Sequence, residues 1–237
     1  MSNRDKVRLQ DYKEKLSSQS MAGAEANALS TEESFIEYVT DLLMNREIYD
    51  DIDTGLIYRN TSKGMFIHGY SYNETEKVLS GLVVKFSNTN DLETMNQSEL
   101  EKLGKQCAKF ISNIDNEKFL NSLEDTDPGK SLAETLSQYK EKSVKFRVIV
   151  LTNYLMSDRV KRNKIKIDNI FNKKTSIEVC DLERIMNIET TDDDTSENFT
   201  VDLSEFTDEA GLKTLQANSS DNHINSYLCI MPGKYPL

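Results

Sequence analysis

The run Val78-Leu-Ser-Gly-Leu-Val-Val-Lys-Phe86 constrains this chain more than any other stretch. Apolar and β-branched residues fall on both parities of a two-residue repeat, so a strand made from them has no face for solvent and needs cover on both sides. It is therefore expected at the centre of a sheet, with helices packed on each face. Upstream, Leu56-Ile-Tyr-Arg59 and Met65-Phe-Ile-His-Gly-Tyr-Ser-Tyr72 are separated by a turn from Asn60 to Gly64, and a second polar break at Asn73-Glu-Thr-Glu-Lys77 leads into Val78. Leu56 to Asn88 thus reads as two consecutive hairpins, a three-stranded meander.

Helices should flank it. Ser30 and Glu33 have the spacing of a capping box ahead of Phe35, Val39, Leu42 and Leu43, and Asn96 with Glu99 repeats the pattern ahead of Leu100, Leu103, Cys107, Phe110, Ile111 and Ile114. A third helix is expected from Ser131 to Lys142. Phe146-Arg-Val-Ile-Val-Leu-Thr152 is nearly continuous in apolar residues and reads as a buried strand joined through a helical crossover. Beyond it come a short strand at Ser176 to Cys180, a helix from Asp181, an acidic loop from Thr190 to Asn198, and strands at Phe199 to Leu203 and Ile224 to Met231. Residues 1–28 read as an N-terminal arm or short helix, and 29–237 as a single α/β domain.

The net charge of −11 argues against a surface that coats nucleic acid generally. Cys107, Cys180 and Cys229 contain no C-x-x-C pair, which suits a reducing cytoplasm better than a disulfide framework, and no apolar run reaches the ~20 residues that a bilayer requires. His68 and His223 are the only histidines, so a multi-histidine zinc site within one chain is excluded. Gly129-Lys130-Ser131 imitates the end of a P-loop, but Glu124 stands where its first glycine is required, and the stretch reads as a turn and helix start.

The segment from Met65 to Phe86 resembles the amino-terminal domain of bacterial abortive infection phage resistance (AIPR) proteins, whose pattern there is Ile-Asp-Gly-Tyr, a short acidic turn and a strand ending Ser-Asp-Phe. Thr152-Asn153, Cys180-Asp-Leu-Glu-Arg-Ile185 and Ser226-Tyr-Leu-Cys-Ile-Met-Pro-Gly233 extend the resemblance in order. It implies the N-terminal part of a longer protein, with the C-terminal half or another defence protein as its partner.

The order of helix, meander, helix and strand is similar to that of PD-(D/E)xK nucleases. The fold class expected is therefore α/β, a mixed central sheet with a β-meander flanked by helices, restriction-endonuclease-like. Such enzymes hold Mg²⁺ on acids of the meander's second and third strands, where a lysine assists the attacking water. At those places this chain carries His68 and Lys85: His-Gly-Tyr replaces Asp-Gly-Tyr, and Val-Lys-Phe replaces Ser-Asp-Phe. The resemblance then implies a degenerate active site without a cofactor, in a noncatalytic recognition or scaffolding domain of phage defence. Shifted strand alignment is one alternative. A site rebuilt elsewhere is another, and would make the chain a Mg²⁺-dependent nuclease acting on DNA or RNA.

Asp51 and Asp53, with Asp50 beside them, are the remaining oxygen ligands for a hard cation, or else a solvated acidic loop. Arg159, Lys161, Arg162 and Lys164 open a basic segment that either lies against nucleic-acid phosphates or is a solvated charged loop.

Overall fold

A computed structural model describes residues 3–157, 160, 165–190, 214–217 and 226–229 of the chain. Two compact units are present, 1–192 and 193–237. In the first, α1 (Asn3–Asn27) and α2 (Thr31–Asn45) precede β1 (Tyr58–Asn60), β2 (Met65–Ile67), β3 (Gly69–Asn73), β4 (Val78–Lys85) and β5 (Thr94–Met95). Then follow α3 (Gln97–Ile111), α4 (Glu117–Leu120), α5 (Pro128–Lys140), β6 (Lys145–Thr152), β7 (Leu155–Met156), β8 (Thr175–Cys180) and α6 (Leu182–Thr190). The second unit contributes β9 (Thr214–Ala217) and β10 (Ser226–Cys229), an antiparallel pair.

The central sheet has the order β3-β4-β6-β8. β3 runs antiparallel to β4, whereas β4, β6 and β8 are parallel, so α3 to α5 form the crossover that parallel pairing requires. β4 is an interior strand, buried from Val78 to Val84, as its unbroken apolar pattern predicts. Its alternate residues feed two cores. Leu79 and Val83, with Val148 and Val150 of β6, pack with Leu100, Cys107, Phe110 and Ile111 of α3 and Leu132 and Leu136 of α5. Leu82 and Val84, with Ile149 and Leu151, pack with Leu9 and Leu16 of α1, Phe35 and Val39 of α2 and Ile185 of α6. The result is a mixed sheet between two helical layers. Gly81 permits the close approach of α3: a Cβ there would lie 2.7 Å from Cys107 Sγ and from Ile111 Cδ1.

Both anticipated capping boxes are present. Ser30 Oγ accepts the Glu33 N–H at 3.2 Å while Glu33 returns a carboxylate oxygen to the Ser30 N–H at 2.8 Å. Asn96 and Glu99 do the same for α3. Gly129-Lys130-Ser131 lies in the first turn of α5, which starts at Pro128 behind an Asp127 cap, three residues earlier than the sequence pattern suggests.

Several elements differ from the sequence expectation. The N-terminal segment is one 25-residue helix, α1, docked through Leu9, Tyr12 and Leu16. The small residues from Met21 to Ala26 continue it because Ala is the strongest helix former. The second strand of the meander is divided at His68 into β2 and β3, and β2 pairs only with β1 in a separate two-stranded sheet. Phe86 lies beyond the end of β4, half-buried, with its ring 5.0 Å from that of Phe35. The strand expected at Phe199 to Leu203 and most of the Thr190 to Asn198 loop lie outside the described residues.

One buried charge is left incompletely satisfied. Lys13 of α1 is fully buried, 3.7 Å from Glu93, with no hydrogen bond to its ammonium, and burial lowers its pKa. Such a charge is stabilising only when hydrogen bonds complete it.

These positions set an order of stability. Leu82→Ala should cost about 2 to 5 kcal/mol, and Phe86→Ala clearly less, in urea unfolding; equal losses would mean that Phe86 belongs to the core. Lys13→Met keeps the aliphatic stem and removes the unbonded ammonium, so its unfolding midpoint should rise.

Candidate functional site

Pairing between β3 and β4 ends where Gly69 faces Leu82, and one further backbone bond, His68 N–H to Leu82 C=O at 2.7 Å, closes the ladder. Past it β2 departs toward β1, and the last residues of β4 border a cleft instead of a strand. The cleft has a volume of about 360 Å³, and its walls come from α2, β1, β2, β4 and α3. Phe66, Val83, Val84, Phe86 and Leu103 form its apolar lining, with Glu32, Arg59, His68, Lys85, Glu99, Lys102 and Gln106 among them.

His68 and Lys85, anticipated as neighbours, do meet here. His68 is 2 % exposed, and its Nδ1 accepts the Val84 N–H at 3.2 Å, so a side chain completes the ladder that β2 abandons. The other ring nitrogen, Nε2, lies 3.5 Å from Glu32 Oε1. Arg59 Nη2 donates to that oxygen at 2.5 Å and stands 2.9 Å from Nε2, so imidazole, guanidinium and carboxylate form one contact cluster. Donation from His68, followed by the Arg59 charge, holds the Glu32 carboxyl below the usual glutamate range against the opposing effect of burial.

Across the cleft, Lys85 Nζ donates to Glu99 Oε1 at 2.6 Å and stands 4.5 Å from the centroid of the Tyr154 ring. Glu99's other oxygen accepts the Asn96 N–H at 3.0 Å in the capping box. Lys85 first, and the Asn96 amide second, depress the Glu99 pKa. The two carboxylates at this cleft are therefore each engaged by cations of the same chain, and Glu99 has both oxygens committed.

These residues do not fit Mg²⁺. The ion binds in near-octahedral geometry through one or two carboxylates at about 2.0 to 2.1 Å, and here each acid is already paired, Glu32 with Arg59 and Glu99 with Lys85, with Lys102 also in the lining. Among the described residues, no group of three or more His, Cys, Asp or Glu side chains is placed to hold a metal ion.

Asp51 and Asp53 lie apart from this cleft. They line a smaller one of about 180 Å³ with Tyr70, Ser71, Tyr72, Glu74 and Tyr139. Asp53 is a structural tie: its backbone pairs with Tyr70, Oδ1 accepts the Gly55 N–H at 2.9 Å, and Oδ2 accepts the Tyr70 hydroxyl at 3.1 Å. Burial and the Asp53 carboxylate push the Tyr70 phenol up to about 12. Asp51 is exposed. Arg159, Lys161, Arg162 and Lys164 lie outside the described residues.

Glu32, Arg59, Lys102 and Gln106 are cleft residues that sequence reasoning missed, and Glu99 was visible only as a helix cap. The signal available was positional: the first turns of both helices carry acids, Glu32 beside the capping Glu33 in α2 and the capping Glu99 itself in α3.

The fold and the site together define a mixed α/β domain with a cation-filled cleft at the end of its central strand. Residues 35–187 match the family model of the abortive infection phage resistance protein N-terminal domain, and the chain belongs to that family. All the cleft residues except Glu32 fall within the match. No curated protein matches the chain, and no solved structure does.

The His68 bond is testable through its acceptor. His68→Leu leaves a buried amide without a partner and should lose about 1 to 3 kcal/mol, whereas His68→Asn, whose carbonyl oxygen can take the Nδ1 place, should recover part of this in chemical unfolding. No difference between the two would remove the role assigned to Nδ1. With their folded-state pKa values depressed, Glu32 and Glu99 contribute stability that is fully present above the unfolded glutamate value of about 4.3 and is lost as pH falls through the folded values. Lys85→Met should accordingly flatten the acid limb of the unfolding midpoint between about pH 4.5 and pH 3.

Proposed function

We propose that this chain is a noncatalytic recognition or scaffolding domain of a bacterial abortive infection phage defence protein, built on a restriction-endonuclease-like core whose active site is degenerate. On this reading it is the N-terminal part of a longer cytoplasmic protein, and its partner is the C-terminal half or another defence protein. Family membership supports the biological setting. The order of α2, the hairpins, the crossover helices and the parallel strand β6 is what supports the comparison with such nucleases.

One observation carries the loss of catalysis: Lys85 occupies the end of β4 and spends its charge on Glu99, while His68 and Arg59 take Glu32. Hydrolysis of a phosphodiester by such a site needs carboxylates free to bind the metal that activates water. Here the metal would have to displace two ion pairs and then sit beside a lysine. In place of water activation, the residues organise the cleft: His68 holds β4 to α2, and Lys85 holds it to α3. No described helix is long and apolar enough to cross a membrane.

The nuclease alternative that relies on Asp51 and Asp53 gains no observation of its own, since those carboxylates border tyrosines and a different strand edge.

The purified chain is expected to leave DNA and RNA uncut with Mg²⁺ or Mn²⁺. The double substitution His68→Asp and Lys85→Asp restores family-like acids, also frees Glu99, and should raise Mn²⁺ affinity in calorimetry without a requirement that cleavage return. Metal-dependent cleavage by the unmodified chain, abolished by Asp51→Ala, would overturn the degenerate-site reading.

A further inference from the structure

The outer face of α3 carries a second feature that joins the cleft. Lys102, Lys105 and Lys109 are exposed and spaced three and four residues apart, so they stand in one row along the helix. The row is about 10 Å long at 1.5 Å per residue. Lys63, in the turn between β1 and β2, extends it: the Lys109 ammonium donates to the Lys63 carbonyl oxygen at 2.6 Å, and the Lys63 ammonium donates to Ser122 Oγ at 2.6 Å. These acceptors are uncharged, and none of the four lysines forms an ion pair among the described residues. Lys15, Lys85 and Lys130 are paired with Glu189, Glu99 and Asp125, while other lysines such as Lys77, Lys118 and Lys145 are unpaired among the described residues but share no groove, so it is the row along one groove that sets the α3 lysines apart. Four unneutralised charges in one row, on a chain of net charge −11, form a local positive track against the overall field.

The track and the cleft are continuous. Lys102 and Gln106 line both the cleft and the shallow groove that runs over Gly64, Ser98, Lys105 and Lys109. Two acids stand beside the track: Glu99 is held by Lys85, and Glu101 lines the same groove, its carboxylate accepting only the neutral Gln97 amide at 2.8 Å, so one negative charge is set against the four lysines. A polyanion lying on the lysines is thereby led to the cleft, where Phe66 and Phe86 present aromatic surface and Arg59 flanks Phe66 at 5.9 Å.

Regularly spaced cations beside an aromatic recess suit single-stranded nucleic acid, which pairs a charged backbone with bases free to stack. A membrane surface is less suited, because among the described residues the large exposed apolar side chains are Val7, Met21, Ile48 and Val144, none on α3. We propose that α3 and the cleft together hold a single strand of nucleic acid, its phosphates along Lys102, Lys105 and Lys109 and one unstacked base against Phe66 and Phe86. The inference rests on the recognition reading above and names the ligand recognised. It requires no bond to break.

Fluorescence anisotropy with labelled oligo(dT) and oligo(U), a matched duplex, and unlabelled heparin as competitor tests it on the whole chain. Binding of the single strands at low salt is expected, with log affinity falling against log salt at about −0.7 per phosphate contacted, hence near −2 for three lysines. Lys102→Gln with Lys105→Gln and Lys109→Gln should weaken binding at least tenfold and bring that slope toward zero. Phe66→Ala, checked for folding by circular dichroism, should weaken it several-fold with the slope unchanged, and Phe86→Ala provides the same readout if Phe66→Ala does not fold. The relative affinity of the two oligomers distinguishes RNA from DNA as the source of the strand. Duplex bound as well as single strand, heparin displacing at equal concentration of anionic charge, or no binding at low salt would each overturn the proposal. None of these three outcomes touches the degenerate-site reading, which fails only on metal-dependent cleavage.

Discussion

Backbone polar groups at the end of a buried strand need partners after strand pairing stops, and in this fold side chains supply them. β4 is buried along its length, yet β2 leaves it after His68, so the Val84 amide faces no strand. An unpaired amide there would cost about 1 to 3 kcal/mol. The His68 ring accepts it. At the other margin of the same strand end, Asn153 donates to the Ser87 carbonyl at 2.7 Å and accepts the Ser87 N–H at 2.9 Å, a side-chain copy of one rung of a ladder. Beside β8, Asp181 accepts the Met156 N–H with one oxygen and the Arg184 N–H with the other, which ties β7 to the start of α6.

His68, Asn153 and Asp181, each inside a stretch that marks the family resemblance, thus act alike, because each substitutes for backbone where the parallel strands run out. At the carboxyl ends of β4, β6 and β8 these side chains supply bonds that a further strand would otherwise make. Clefts of α/β sheets form where strands end and neighbours diverge, and this one follows the rule. The cleft is a consequence of how the ladder is terminated, and the identity of its polar residues is partly fixed by that termination before any ligand is considered. His68 could not be replaced by an arbitrary residue even in a chain with no chemistry to perform.

Much of this was legible in residue patterns. The two-sided burial of β4, both capping boxes and the crossover to β6 follow from period, cap chemistry and order, whereas the pairing of His68 with Lys85 at one site was implied only by the family resemblance. The break at His68 was not legible, because Met65 to Tyr72 has strand composition throughout and the divergence of β2 is set by Tyr58 and Met65 packing against α3 and α5. The length of α1 was hidden by its weak pattern: its buried face includes Lys13, Ser17 and Ser20, which look like solvent positions in a sequence. Asp51 and Asp53 looked like ligands because carboxylates close in sequence suggest convergence, whereas Asp53 is turned to its own turn and to Tyr70. Arg59 and Glu32 became neighbours only through tertiary packing between β1 and α2, a relation that no local spacing encodes.

The electrostatics of the cleft decide between the two kinds of site that its shape would allow. Two unit charges 4 Å apart interact by about 4 kcal/mol at an effective dielectric of 20. Lys85 and Glu99 are closer than that and only partly exposed, so their attraction is substantial although solvent reduces it. A divalent cation entering here would forfeit that attraction, repeat the loss at Glu32 with Arg59, and then face the released lysine as a like charge. An anion meets the opposite balance. It finds Lys102 already unpaired at the rim and an apolar floor that weakens screening, and it disturbs neither ion pair. The pairs inside the cleft therefore do two things with one arrangement of charge: they oppose a metal at the acids, and they leave the lysines of the adjoining groove unpaired with them.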